Sequence, residues 1–112
     1  MKLEKVDVVY KQTLDGKTYY PREKGVLIGK NTIVICGGNG IQVNHAEYST
    51  LYRGYFIDLD IRNRKNLFEI ASIAGVDDED DMLELLANNP AAAEHLMALA
   101  NMQWVKGAAS DV

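Results

Sequence analysis

Cysteine, proline and long apolar runs are all scarce in this chain of 112 residues, and each shortage excludes something. With Cys36 the single cysteine, no internal disulfide can staple the fold, which fits a reducing compartment. The two prolines, Pro21 and Pro90, are too few for a proline-rich linker. No stretch of about 18 apolar residues is present, so no membrane-spanning helix is expected. The opening MKLEKVDVVYKQ carries charge where a signal peptide needs its apolar segment, so the expected location is the cytoplasm, or a particle assembled there. Basic residues are nearly missing from the second half: after residue 65 a single lysine, Lys106, faces nine acids.

What is present begins with that asymmetry. Residues 1–65 hold eleven Lys and Arg against seven Asp and Glu, a balance of +4, whereas residues 66–112 come to −8, which together give the net −4. Such a division between halves points to charged partners. It coincides with a change of periodicity. Apolar residues at 47% and charged residues at 25% are ordinary for a folded chain, so one domain over 1–112 is expected, with a basic β-rich subregion at 1–61 and an acidic helical one at 62–112.

The first half reads as strands. Val6, Val8 and Tyr10 alternate onto one face, Asp15-Gly16 favours a tight hairpin, and Pro21 interrupts the returning strand or leaves it at an edge. GVLIG, TIVIC, IQVN and STLYRGYFIDLDI supply further extended segments, and Asn39-Gly40 gives the strongest short turn signal. With that turn, Val34, Cys36, Ile41 and Val43 share a face while Ile33 and Ile35 point the other way. Both faces are then apolar, so the strand belongs in the middle of a layered structure. One face can be covered by helices; the other needs a curled sheet or another chain. The expected fold is α+β: an N-terminal antiparallel β-meander or small curled barrel of about five to six strands, followed by three short C-terminal helices.

Those three helices are read from caps and spacing. Asn66 and Glu69 stand at capping-box distance ahead of an apolar run that Gly75 would stop. A second helix follows the acids with Met82, Leu83, Leu85 and Leu86 as its apolar side. Asn89-Pro90 starts the third, and Gly107 is expected to end it. The change from strands to helices is placed between Asp58 and Asn66.

Candidate chemistry is sparse. Cys36 before a glycine-rich loop, with His45 as base, is a conceivable nucleophile, but a buried thiol on a strand is the commoner meaning. The same glycines lack the Gly-Lys-Ser/Thr ending of a phosphate loop. His45 with Glu47 falls short of a metal shell, with His95 far away in a helix, and neither metal nor cofactor is expected. Asp58 and Asp60, close to Arg62, Arg64 and Lys65, read as ion-pair partners. The chain is therefore expected not to be an enzyme.

Two surfaces remain. The five consecutive acids Asp77, Asp78, Glu79, Asp80 and Asp81, together with Glu84, exceed what a helix start can use, since a cap and a dipole contact are each worth about 1 kcal/mol. They are the expected partner-binding residues. All six tyrosines fall in the basic half, and Tyr52, Arg53, Tyr55, Arg62, Arg64 and Lys65 are candidate contacts to nucleic acid or another charged surface. The favoured expectation is a non-catalytic protein–protein interaction or assembly component that binds a protein partner or further copies of itself head to tail, with a phage particle as one context in which such small chains occur. The alternatives are a single-stranded nucleic-acid-binding β-barrel module and an acidic, phosphate-mimicking inhibitor of a nucleic-acid-binding protein.

Overall fold

A computed structural model describes residues 2–37, 40–60, 66–67 and 75–110, with side chains over 2–36, 40–60 and 75–101. The first element is one long hairpin. Strand β1 (Leu3–Leu14) pairs antiparallel with β2 (Lys17–Tyr19) and β3 (Arg22–Ile28) in a single register, from Leu14 opposite Lys17, through Val9 opposite Arg22, to Leu3 opposite Ile28. Asp15 and Gly16 turn it with φ of 51° and 77°, the double positive φ that matches strand twist. Pro21 interrupts the returning strand as expected. It has no N–H to give, yet its carbonyl still accepts from the Tyr10 amide at 2.9 Å, so the hairpin continues across the break.

Strands β4 (Thr32–Gly37) and β5 (Gly40–His45) follow, with Cys36 opposite Ile41 and Gly37 opposite Gly40. The connection is therefore 38–39, and Gly40, expected in the turn, belongs to the strand with φ of 134°. The register is shifted by two residues from the expected one. Side chains alternate with period two, so the shift leaves every residue on its expected face.

After β5 a single residue, Ala46, leads into β6 (Glu47–Ser49), which forms a hairpin with β7 (Gly54–Asp58). Strand β7 then lies parallel to β1, Val8 opposite Tyr55 and Tyr10 opposite Ile57. The order is β6-β7-β1-β3-β4-β5-β8, with β8 (Asn66–Leu67) on the outer edge of β5 and β2 extending the β1 ladder. The sheet is thus mixed, not the expected antiparallel meander. It also has more strands than the five or six expected, because the segment read as one strand, STLYRGYFIDLDI, contributes to both β6 and β7, and β8 is added at the edge.

Connectivity forces this sheet to curl. Strand β6 stands at one end of the order and β5 next to the other, yet one residue joins them, so the two ends must come together there. Asn31, in the β3–β4 turn, fastens that residue from both sides: its carbonyl accepts the Ala46 amide at 2.9 Å and its Nδ2 donates to the Ala46 carbonyl at 3.1 Å. No ladder joins β5 to β6 among the described residues, so the curl stops short of a closed barrel.

Among the described residues two helices follow, α1 (Glu79–Asn88) and α2 (Pro90–Ser110), where three were expected. Asn66 and Leu67, read as the start of the first helix, instead pair with Asn44 and Val43: an open β5 edge offers backbone partners at once, whereas a helix start leaves amides unsatisfied. The rest of that expected helix, 68–74, lies outside the described residues. The change to helices accordingly comes after β8 rather than before Asn66. Pro90 begins α2 as expected, but the helix runs through Gly107 to Ser110.

The core has two parts. On one face Val26, Ile28, Val34, Ile41 and Val43 pack beneath Met82, Leu86, Ala93, Leu96 and Ala100 of the helices. On the other Val8, Tyr10, Leu27, Ile33, Ile35, Ala46 and Ile57 pack on one another inside the curl, with Val8 and Ile33 wholly inaccessible.

Candidate interaction surface

The acids at the helix start are mostly engaged within the chain. Asp78 is the N-cap of α1: its side chain accepts the Asp81 amide at 2.9 Å, and Asp81 in return accepts the Asp77 amide at 3.1 Å. Asp80 reaches across to the sheet and pairs with Lys5 at 3.1 Å, and that bond holds the Lys5 ammonium above its ordinary pKa. Three of the five acids thus have work inside the fold. Asp77, Glu79 and Glu84 have carboxylates with no ion pair among the described residues.

The basic half is likewise largely self-neutralised. Lys2 pairs with Glu4, Lys11 with Asp58 and Asp60, and both Arg22 and Lys24 with Asp7. Asp60 also accepts the Thr13 hydroxyl and amide, each at 2.6 Å, which lowers its pKa. Asp58 and Asp60 therefore form an ion-pair cluster, with Lys11 as its cation among the described residues. Arg62, Arg64 and Lys65 lie outside the described residues.

Cys36 and His45 are not brought together. His45 stands opposite Thr32 and Cys36 opposite Ile41, so four residues of strand, about 13 Å, separate them. Burial, then the charges of Glu79, Asp78 and Asp81, push the Cys36 thiol up to about 11. That is the reverse of nucleophile activation. His45 and Glu47 flank the bend at Ala46, and no group of His, Cys, Asp and Glu able to hold a metal occurs among the described residues.

Tyr20, Tyr48, Tyr52 and Tyr55 fall into two sets of ring contacts. Tyr52 lies between Tyr20 and Phe56, with ring centroids at 5.0 and 4.9 Å and planes within 22° and 13° of parallel. Tyr48 and Tyr55 meet edge to face at 5.5 Å. A stacking platform for bases needs open ring faces, and Tyr52 has both of its faces covered by neighbours.

The turn that carries Tyr52 is the feature the sequence reading missed. Leu51, at its tip, is 79% exposed, the most exposed of the large apolar residues among those described. Around it the backbone is pinned. Arg22 donates through Nη1 to the Arg53 carbonyl at 2.9 Å and through Nη2 to the Tyr52 carbonyl, while the Tyr52 amide donates to Ser49 Oγ at 3.3 Å. Arg53 takes a φ of 57°, and Gly54 follows where a Cβ would lie 2.9 Å from Val9 Cγ2 and 3.0 Å from the Asp7 carbonyl. The legible signal was a leucine between Thr50 and Tyr52 in an otherwise polar hairpin loop. Arg53 itself has no side-chain ion pair among the described residues.

No family model matches the chain, and no curated protein or solved structure matches it. No helix among the described residues is long and apolar enough to cross a membrane.

Proposed function

We propose that this chain is a non-catalytic protein–protein interaction or assembly component whose contact is centred on the β6–β7 turn. The carrying observation is Leu51: an apolar side chain held out to water on a turn that Arg22, Ser49 and Gly54 fix in one shape. Exposing a leucine gains the free protein nothing, and fixing it there reduces the entropy lost on binding. Tyr20, Tyr52 and Arg53 around it are residue types enriched where partners contribute most affinity.

Nucleic acid is a weaker reading, because the central ring of the stack is covered and Lys11 and Arg22 are occupied by their own chain. The acidic inhibitor is weakened likewise, since Asp78, Asp80 and Asp81 already serve the cap and Lys5. A photo-crosslinking amino acid at position 51, activated in cells that produce the chain, tests the proposal. A protein adduct is expected; a nucleic-acid adduct, or none, rejects it.

A further inference from the structure

Resting on that reading, we infer that the partner of the turn is a second copy of this chain, the two related by a closed two-fold axis. The turn and α1 lie on the same face of β1. Lys5, Asp7 and Val9 are alternate residues and so share a side of the strand. Lys5 holds Asp80 of α1, while Arg22, paired with Val9 across the β1–β3 ladder and so on the same side, donates to the Tyr52 and Arg53 carbonyls of the turn. From Lys5 to Val9 is about 13 Å of strand, which sets the spacing of the two features.

Their charges are complementary. The turn presents Arg53, and α1 with the residues just before it presents Asp77, Glu79 and Glu84; none of these four has an ion pair among the described residues. Leu83 and Leu85 of α1 pack against the helix-side core yet keep part of their surface open, and that remainder is what an incoming Leu51 would meet. When two such faces meet across a two-fold axis, each turn lies over the other copy's α1 and both contacts form at once. Patches at opposite ends of a molecule would instead build a ring or filament. The side-by-side placement therefore favours a closed dimer over the head-to-tail arrangement suggested by the charge of the two halves. Edge-to-edge strand pairing is disfavoured: residues 17–24 form a wholly exposed edge, but Lys17, Pro21 and Lys24 guard it.

The test is solution mass on the purified full chain, wild type and charge-reversed, at low salt. The wild type should reach twice the 12.5 kDa of one chain and stop there. Arg53→Glu and Glu84→Lys should each weaken the dimer about tenfold or more. The double variant Arg53→Glu/Glu84→Lys should recover it. An equimolar mixture of the two single variants should also pair, because each mixed dimer has one native and one reversed contact, both attractive. Circular dichroism of each single variant separates lost association from lost folding, and the rescue in the double variant does so again. Assembly beyond the dimer, single variants that pair as the wild type does, or no rescue would overturn the inference. A wild type that stays monomeric to about 1 mM overturns it too. In that case a crosslink from position 51 to a different protein would leave the proposed function standing, whereas no crosslink would remove both.

Discussion

The start of α1 and the β6–β7 turn are both built from residues that look unneeded by the fold, and they differ in how far the fold uses them. At α1 the apparent excess is largely consumed: Asp78 caps, Asp81 caps in return and Asp80 holds Lys5. At the turn the protein commits Arg22, Ser49 and a glycine to shaping a loop whose most prominent side chain touches water. A run of like charge is conspicuous in a sequence but can be explained locally. A single leucine on a rigid turn is inconspicuous, and nothing local explains it.

The comparison can be broken by substitution, and the largest effect should come at the tip. Leu51→Asp should weaken association on the order of 30-fold or more, measured by sedimentation, with the unfolding midpoint almost unchanged because the side chain is exposed. Gly54→Ala acts one step deeper. Its methyl meets Val9 and the Asp7 carbonyl, so a stability loss of about 1–3 kcal/mol is expected in chemical denaturation, with a loosened turn and weaker association. At the other region Asp78→Ala should cost about 1 kcal/mol through the lost cap, while association through Leu51 persists.

The legibility of these regions in the sequence follows the range of the interactions involved. Asp15-Gly16 and Asn89-Pro90 were readable because turn and helix-start chemistry is decided by adjacent residues. The two-faced burial of TIVIC was readable from alternation alone and survived a two-residue error in register. The parallel pairing of β7 with β1 was not readable, since it is set by the chain doubling back through Ala46 and by the Asn31 clasp, which no local pattern announces. Asn66 misled for a related reason: its capping spacing is local, whereas the β5 edge it joins is distant in sequence. At the candidate surface, Tyr52 and Arg53 were marked by type, but Leu51 gained meaning only from its exposure, and Arg22 only from the carbonyls it meets.

The smallest expected effects lie at the extremes of pH and again separate the two regions. Beneath the turn, a hydrogen bond from Lys24 lowers the Asp7 pKa, so its contribution is present above the unfolded carboxylate value, about 3.9, and is lost as pH falls through the folded one. At α1, Asp80 raises the Lys5 pKa. That contribution is complete below about 10.4 and is lost as pH rises through the folded value. Asp7→Asn should therefore reduce the acid-side dependence of the unfolding midpoint, and Lys5→Met the alkaline-side dependence. Both groups are exposed, so the changes should be slight.

Amide hydrogen exchange, followed by mass spectrometry on dilute and concentrated wild-type protein, examines the surface as a whole. Concentration should add protection at residues 50–54 and along α1, and leave the 17–24 edge as it was in the dilute sample. Protection gained along 17–24, or at the helix start with none at the turn, would contradict the assignment of Leu51 as the anchor.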